Sequence, residues 1–357
     1  MKGEDMRRLR EEMVLSRADA AAKGVDQSQF ADWLNGQLGR RYDKAKVSRW
    51  ETGAERIPNQ VAHFLRDQLT SLFRQNDPVR LVGPPVASQT VVVAIANQKG
   101  GVGKTVAAVN IAYELARRGN KVLLIDADSQ SNASIHVGCS AQDIVALESR
   151  GKTLYHVLLG RESLRTIAVE TAFGNLVLAP SSVVLADADV ELMTEPGGQQ
   201  VLREKVDDVR DSYHYLIIDC PPNLGLLTIN GLASADLVIL PVQTEAFAML
   251  GVQRMFQTVE KLQRRANTEL RILGILPTLF DRRLSQDQAS LAEIRELYGH
   301  LVQVFDPIPR ATVYAKAAAA GVPALAAEPE IPGAAVWAAI ADGIEGDAEQ
   351  RRQRNAA

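Results

Sequence analysis

Apolar runs of four to six residues recur from residue 91 onward, at 91–96, 122–125 (in the segment 121–125, which opens on Lys121), 176–179, 215–218, 237–242 and 272–276. Runs this short and this uniformly apolar predict strands buried on both faces. Longer segments with helical periodicity lie among them, at 106–118, 246–265, 284–298 and 334–344. Strands spaced by helices predict an α/β fold, a mostly parallel sheet flanked by helices. Residues 1–75 differ. They are polar and helical in pattern, and predict a small all-helical unit with helices at 29–38 and 44–50. In the first, Phe30, Trp33 and Leu34 share a face; in the second, Asp43 is placed as N-cap and Val47 and Trp50 point inward. Asn76-Asp77-Pro78 and Gly83-Pro84-Pro85 resist regular structure and mark a linker over 76–90. The large unit then spans 91–345, and 346–357 reads as a polar, frayed tail.

Several of these elements end in residues that carry chemistry. The first strand runs into Asn97-Gln98-Lys99-Gly100-Gly101-Val102-Gly103-Lys104-Thr105, and a helix follows. Strand, glycine turn, lysine, hydroxyl and helix is the order of a phosphate-binding loop. Glycines let backbone N–H groups converge on an anion, and the helix start adds its own unpaired donors. Lys104 can reach the outer phosphates, and the Thr105 hydroxyl can hold Mg²⁺. The generic pattern has glycine at position 98; here Gln98 stands there and Lys99 follows. The second strand ends in Asp126-Ala127-Asp128, and the apolar run before Asp219 has a Walker B pattern. Carboxylates at strand C-termini sit where open α/β sheets bind ligands. Capping of the next turn is the plainer reading of Asp126 and Asp128.

Composition narrows the picture. Of 357 residues, 46% are hydrophobic, enough for a substantial core, and the net charge is -3. No apolar run reaches the length of a membrane span, and the charged start lacks the centre of a secretory signal. Cys139 and Cys220 and the five histidines form no metal-ligand spacing, which reads as structural use in a reducing, cytoplasmic compartment. Residues 1–80 hold 15 Lys/Arg against 12 Asp/Glu, and 40–56 hold 6 against 3. Lys44, Lys46, Ser48 and Arg49 lie off the apolar face, where they can meet DNA phosphates and a guanine edge. A helical dimerisation or partner-docking arm with a solvated charged face is the alternative. Arg254, Lys261, Arg264, Arg265 and Arg271 form a second basic cluster, either a nonspecific DNA surface or a solvated helix face. Asp187, Asp189 and Glu191 read as a capped or solvated helix, with contact to a partner as the alternative.

The segments Lys99–Thr105, Asp126-Ala127-Asp128-Ser129-Gln130 and Asp219-Cys220-Pro221-Pro222 resemble the ParA/Soj branch of the deviant Walker A ATPases, close to MinD. Leu178-Ala179-Pro180-Ser181, the stretch from Pro277-Thr278 to Arg283, and Ile308-Pro309-Arg310 share that resemblance. It covers about residues 90–330. Val47-Ser48-Arg49-Trp50-Glu51-Thr52-Gly53 resembles the Cro/repressor-like helix-turn-helix family. Together they imply a DNA-partition ATPase, cytoplasmic and nucleoid-associated, using ATP/ADP and Mg²⁺. ATP would drive a sandwich homodimer that binds double-stranded DNA. Its slow turnover would be raised by a centromere-binding, ParB-type protein, with no membrane partner. Residue by residue, the resemblance makes Lys99 the lysine that reaches the partner subunit's phosphates and Asp128 the residue supporting water attack. Asp126 and Asp219 join Thr105 at the metal. Gly100, Gly101, Val102, Gly103, Lys104, Thr105 and Val106 line the phosphates, with Pro277, Thr278, Pro309 and Arg310 near adenine. Val106 stands where the family has a second threonine, and Ser129 where it has proline. A nucleotide-regulated repressor with little turnover and a MinD-like positioning ATPase are the alternatives; residues 346–357 lack the apolar face a membrane helix needs.

Overall fold

The computed structural model describes residues 6, 26–58, 61, 64–65, 90–245 and 248–356. Residues 76–89 of the expected linker, most of 1–25 and His63 lie outside them. The described residues divide into two units, one up to residue 65 and one from residue 90 onward.

In the first unit the helix Gln27–Leu38 starts at a reciprocal capping box, in which Asp26 accepts from the Ser28 and Gln29 amides and the Gln29 side chain accepts from the Asp26 amide. It ends at Gly39, whose φ of 60° is the left-handed cap an L side chain resists. The helix Lys44–Glu51 follows, its Asp43 cap accepting from the Lys46 amide. The turn between them is fixed by Asn35, whose amide donates to the Tyr42 carbonyl at 2.8 Å and accepts from the Tyr42 amide at 2.6 Å. Phe30, Leu34, Val47 and Trp50 are fully buried against one another and Leu65, so Val47 and Trp50 face the core as their spacing predicts.

The second unit is built on an eight-stranded sheet of order β3-β4-β2-β5-β1-β6-β7-β8. Its strands are β1 Val91–Ile95, β2 Val122–Asp126, β3 Val169–Glu170, β4 Leu176–Ala179, β5 Tyr215–Asp219, β6 Leu237–Gln243, β7 Arg271–Thr278 and β8 Gln303–Val304. All pairs are parallel except β3 with β4. Alternation along β1 sends Val91, Val93 and Ile95 to one core layer and Val92 and Ala94 to the other. Helices therefore cover both faces. The first layer packs against the helix Lys104–Arg117 and the last helix, where Trp337, Ile340 and Ile344 are buried.

Register brings the chemistry to one edge. Asp126 of β2 pairs with Asp219 of β5, and Asp219 with Ile95 of β1, so three strand ends finish level. The two-residue edge strands β3 and β8 are additions that no apolar run signalled. The expected tail also differs: the last helix runs Ala334–Ala356 without a break. Arg351 holds it, donating to Asp236 at 2.8 Å and to Asp347 at 2.6 Å. Among the described residues no helix is long and apolar enough to cross a membrane.

Candidate nucleotide-binding site

The loop between β1 and the helix Lys104–Arg117 turns through Gly101 and Gly103, at φ 75° and 83°. An L residue is strained at both, and Gly103 serves directly as the cap residue of the helix. The helix starts at Lys104, two residues earlier than periodicity predicts, because a phosphate loop and its helix share these residues. Asn97 anchors the loop from below, donating to the Pro241 carbonyl at 2.6 Å and accepting from the Lys99 amide at 3.1 Å. Thr278 anchors it from the side through its hydroxyl, 2.8 Å from the Val102 carbonyl.

Lys104 is nearly buried, and its ammonium donates to the Lys99 carbonyl at 3.0 Å. Burial lowers its pKa, against the pull of Asp219, Cys220 and Asp128. The carboxylates differ sharply from one another. Asp126 is fully buried and satisfied: Oδ2 accepts from the Ser134 amide at 2.8 Å and hydroxyl at 2.7 Å, Oδ1 from the Asp128 amide at 3.2 Å. Burial still pushes its pKa up to about 7, and the Asp128 charge adds to that. Asp219 is fully buried, and neither carboxylate oxygen has a hydrogen-bond partner. Burial raises its pKa well above the carboxylate range, as do Asp126 and Asp128; the Thr105 hydroxyl and Lys104 favour ionisation, without satisfying either oxygen. A buried acceptor with no donor, beside a second carboxylate, a hydroxyl and an anion-binding loop, is the donor set a hard divalent cation takes. Asp219 and Thr105 fit such an ion directly. Asp126, its oxygens already engaged, fits it through water.

Asp128 lies beyond the end of its strand. β2 stops at Asp126, so alternation does not carry on to Asp128. Instead Asp128 closes a tight turn, its Oδ1 accepting from the Gln130 amide at 3.0 Å, and Ser131 takes φ 55° just beyond. The turn-capping reading thus describes part of what Asp128 does. Its carbonyl accepts from the Ser181 hydroxyl at 2.7 Å, and the Ser181 amide donates to Ser134 Oγ at 3.2 Å. Ser134 and Ser181 thereby join the two acidic positions into one network. Ser134 lies eight residues beyond Asp126 on a short helix, a spacing without a local signal.

Lys99 turns away from the loop. Half exposed, it pairs with Glu245 just past β6. Pro277 and Thr278 finish β7, and the neighbouring segment zips onto them: the Ile308 amide donates to Pro277 at 2.8 Å and the Arg310 amide to Phe280 at 3.0 Å. Thr278 with Pro309 and Arg310 therefore forms one wall beside the loop. Val106 is half-buried on the first turn of the loop helix. Away from this site, Arg264 pairs with Glu260 and Arg271 with Asp347, while Arg254, Lys261 and Arg265 are exposed. In the small unit Lys46 and Arg49 both pair with Glu55; Lys44 is exposed and Ser48 half-buried.

A glycine loop at a helix start, flanked by strand-terminal carboxylates of a parallel sheet, defines a P-loop nucleotide-binding protein. A model of the AAA domain matches residues 90–272. The chain is 37% identical over 246 residues to the chromosome-partitioning ATPase Soj of Treponema pallidum, covering 69% of this chain and 93% of that protein. It is 36% identical over 269 residues to the chromosome partitioning protein ParA of Caulobacter vibrioides, covering 74% and 97%. Among solved structures, cobyrinic acid a,c-diamide synthase from Mycobacterium smegmatis, with bound ADP and magnesium, superposes with TM-score 0.61 at 32% identity, covering 71% of this chain and 93% of that one. The chain belongs to the ParA/Soj family of P-loop ATPases.

Proposed function

We propose that the chain binds ATP with Mg²⁺, hydrolyses it, and uses the cycle in DNA partition. The unpartnered, buried carboxylate of Asp219 beside Thr105, Asp126 and the glycine loop carries this reading. The relatives named as chromosome-partitioning proteins and the magnesium-bound ADP structure support it.

Backbone amides of Gly100–Thr105 and the Lys104 ammonium bind the phosphate chain, and Asp219 with Thr105 holds the metal. Magnesium supplies charge neutralisation on the phosphate oxygens when bound. Asp128 orients the attacking water, in a turn kept in place by Ser181 and the Gln130 amide. Positioning and charge stabilisation do the work, as expected for phosphoryl transfer. Lys99 acts in a second subunit: its side chain pairs with Glu245 rather than with its own loop and, on leaving Glu245, reaches the phosphates across a two-fold interface. The resulting homodimer binds double-stranded DNA nonspecifically, with Arg264 and Arg265 on the contacting surface. The small unit binds an operator through Lys44, Lys46, Ser48 and Arg49. A centromere-binding, ParB-type protein raises a slow basal turnover, and the protein works in the cytoplasm on the nucleoid.

The test is nucleotide-dependent association. Sedimentation with a non-hydrolysable ATP analogue and Mg²⁺ should show dimers for the wild type, with Lys99→Ala monomeric and still nucleotide-bound. Lys104→Ala should fail at nucleotide binding itself. Equal dimerisation of wild type and Lys99→Ala would remove the assigned role of Lys99.

A further inference from the structure

The helix Leu185–Thr194 turns Leu185, Ala188 and Leu192 into the core and leaves its other side uncovered. Val183, in the turn before it, is 73% exposed, Val190 68% and Met193 74%. With exposed Ala186 they fall at spacings of three, four and three, a single stripe along the helix. Three of the nine large exposed hydrophobic side chains among the described residues lie on this stripe.

The segment that carries it is anionic, and the described cation Arg161 lies over the Tyr155 ring whose hydroxyl donates to Glu191. From Thr166 to Leu202 the chain has no Lys, Arg or His and five carboxylates, at Glu170, Asp187, Asp189, Glu191 and Glu195. Asp187 and Glu195 are exposed beside the stripe. This charge decides what can cover it. A second copy packed about a two-fold axis would set these carboxylates against themselves. Anionic lipid headgroups and nucleic-acid phosphates are repelled for the same reason. An apolar stripe with an acidic rim fits an amphipathic segment with a basic rim.

The helix is also tied to both acidic loops of the nucleotide site. Ser181, four residues before it, holds the Asp128 carbonyl. Asp189 on the helix accepts from the Leu227 amide at 2.9 Å, capping the helix Leu226–Ser234 that follows the Asp219 loop. A partner seated on the stripe bears on a helix that both loops contact.

We propose that the Val183–Val190–Met193 face is the docking surface for a basic amphipathic helix of a protein partner, and that its occupancy adjusts the Asp128 and Asp219 loops. The second half rests on the ATPase reading above. The probe is a synthetic fluorescein-labelled Leu/Lys peptide of helical amphipathic period, with a Leu/Glu peptide of the same period as control. Anisotropy on the full chain should show the Leu/Lys peptide binding at least tenfold more tightly. The double variant Val190→Ser/Met193→Ser and the variant Asp187→Lys should each lose at least tenfold; both changes are on the surface, and circular dichroism confirms folding. Saturating peptide should change ATP turnover of the wild type at least twofold and leave the double variant unaffected. Equal binding of the two peptides, or binding unchanged in the variants, overturns the docking surface. Self-association, or binding to phosphatidylglycerol vesicles, that the double variant abolishes while the peptide does not bind also overturns it. Stripe-dependent binding without any change in an active wild type overturns the regulatory half. Stripe-dependent binding by a wild type that hydrolyses no ATP upholds docking and overturns the ATPase reading instead.

Discussion

At the residue scale the site is organised by unequal carboxylates. Asp126 and Asp219 are register partners at adjacent strand ends, yet Ser134 and the Asp128 amide satisfy the first and nothing satisfies the second. A buried acceptor left unpaired costs about 1–3 kcal/mol, and repulsion between neighbouring carboxylates adds to it. Folding tolerates this where a cation is meant to bind. Asp219→Asn should therefore raise the melting temperature of the nucleotide-free, metal-free protein by several degrees, at about 2–4 °C per kcal/mol for a chain of this size. The same variant should lose the part of nucleotide binding that depends on Mg²⁺. A lower melting temperature without metal would show that Asp219 supports the fold. Ser134→Ala should act in the opposite sense, destabilising the protein by about 1–2 kcal/mol, because it strips a hydroxyl donor from Asp126; chemical denaturation reads it directly.

At the element scale, the phosphate loop, the three strand ends and the main helices were legible from the chain, because apolar runs bounded by glycine or carboxylate have few other solutions. The β2 and β5 aspartates fell at the same edge because both ended apolar runs. What stayed hidden is long-range. The Glu245 partner of Lys99 is 146 positions away, and Asp236 anchors Arg351 from 115 away. A polar ending such as 346–357 reads as tail until its partners are known. Two ion pairs on Asp236 and Asp347, both nearly buried, are enough to continue the helix. Arg351→Ala should cost roughly 1–3 kcal/mol, below the loss expected for a fully buried pair, and raise hydrogen exchange in the last turns selectively. In the small unit, the sequence shows Glu55 only as part of the charge balance. It pairs with Lys46 and Arg49, and these pairs hold its carboxyl below the usual range. If those cations contact DNA, Glu55→Gln should strengthen binding and steepen its salt dependence by about one to two counterions. Unchanged affinity and slope in filter binding would place the DNA contact elsewhere.

At the scale of the whole molecule, the chain joins a small helical unit to a nucleotide-binding sheet of the ParA/Soj family. Sequence resemblance reached the family through six short segments. The structure adds how they work together: Ser134 and Ser181 knit the Asp126 and Asp128 positions into one network, and Asp189 links a surface helix to the segment after Asp219. The operator-binding role proposed for the first unit and the partition role proposed for the second stand on different residues, so each can fail without the other. The most direct test is steady-state phosphate release by the full chain with ATP and Mg²⁺, wild type against Asp128→Ala, with binding of a fluorescent ATP analogue followed on both. The account predicts Mg²⁺-dependent turnover by the wild type and at least about a tenfold loss in the variant, within the range expected for removing a group that positions a proton-transferring water, with analogue affinity retained. Equal turnover in the two proteins, or no Mg²⁺-dependent turnover by the wild type, would contradict it.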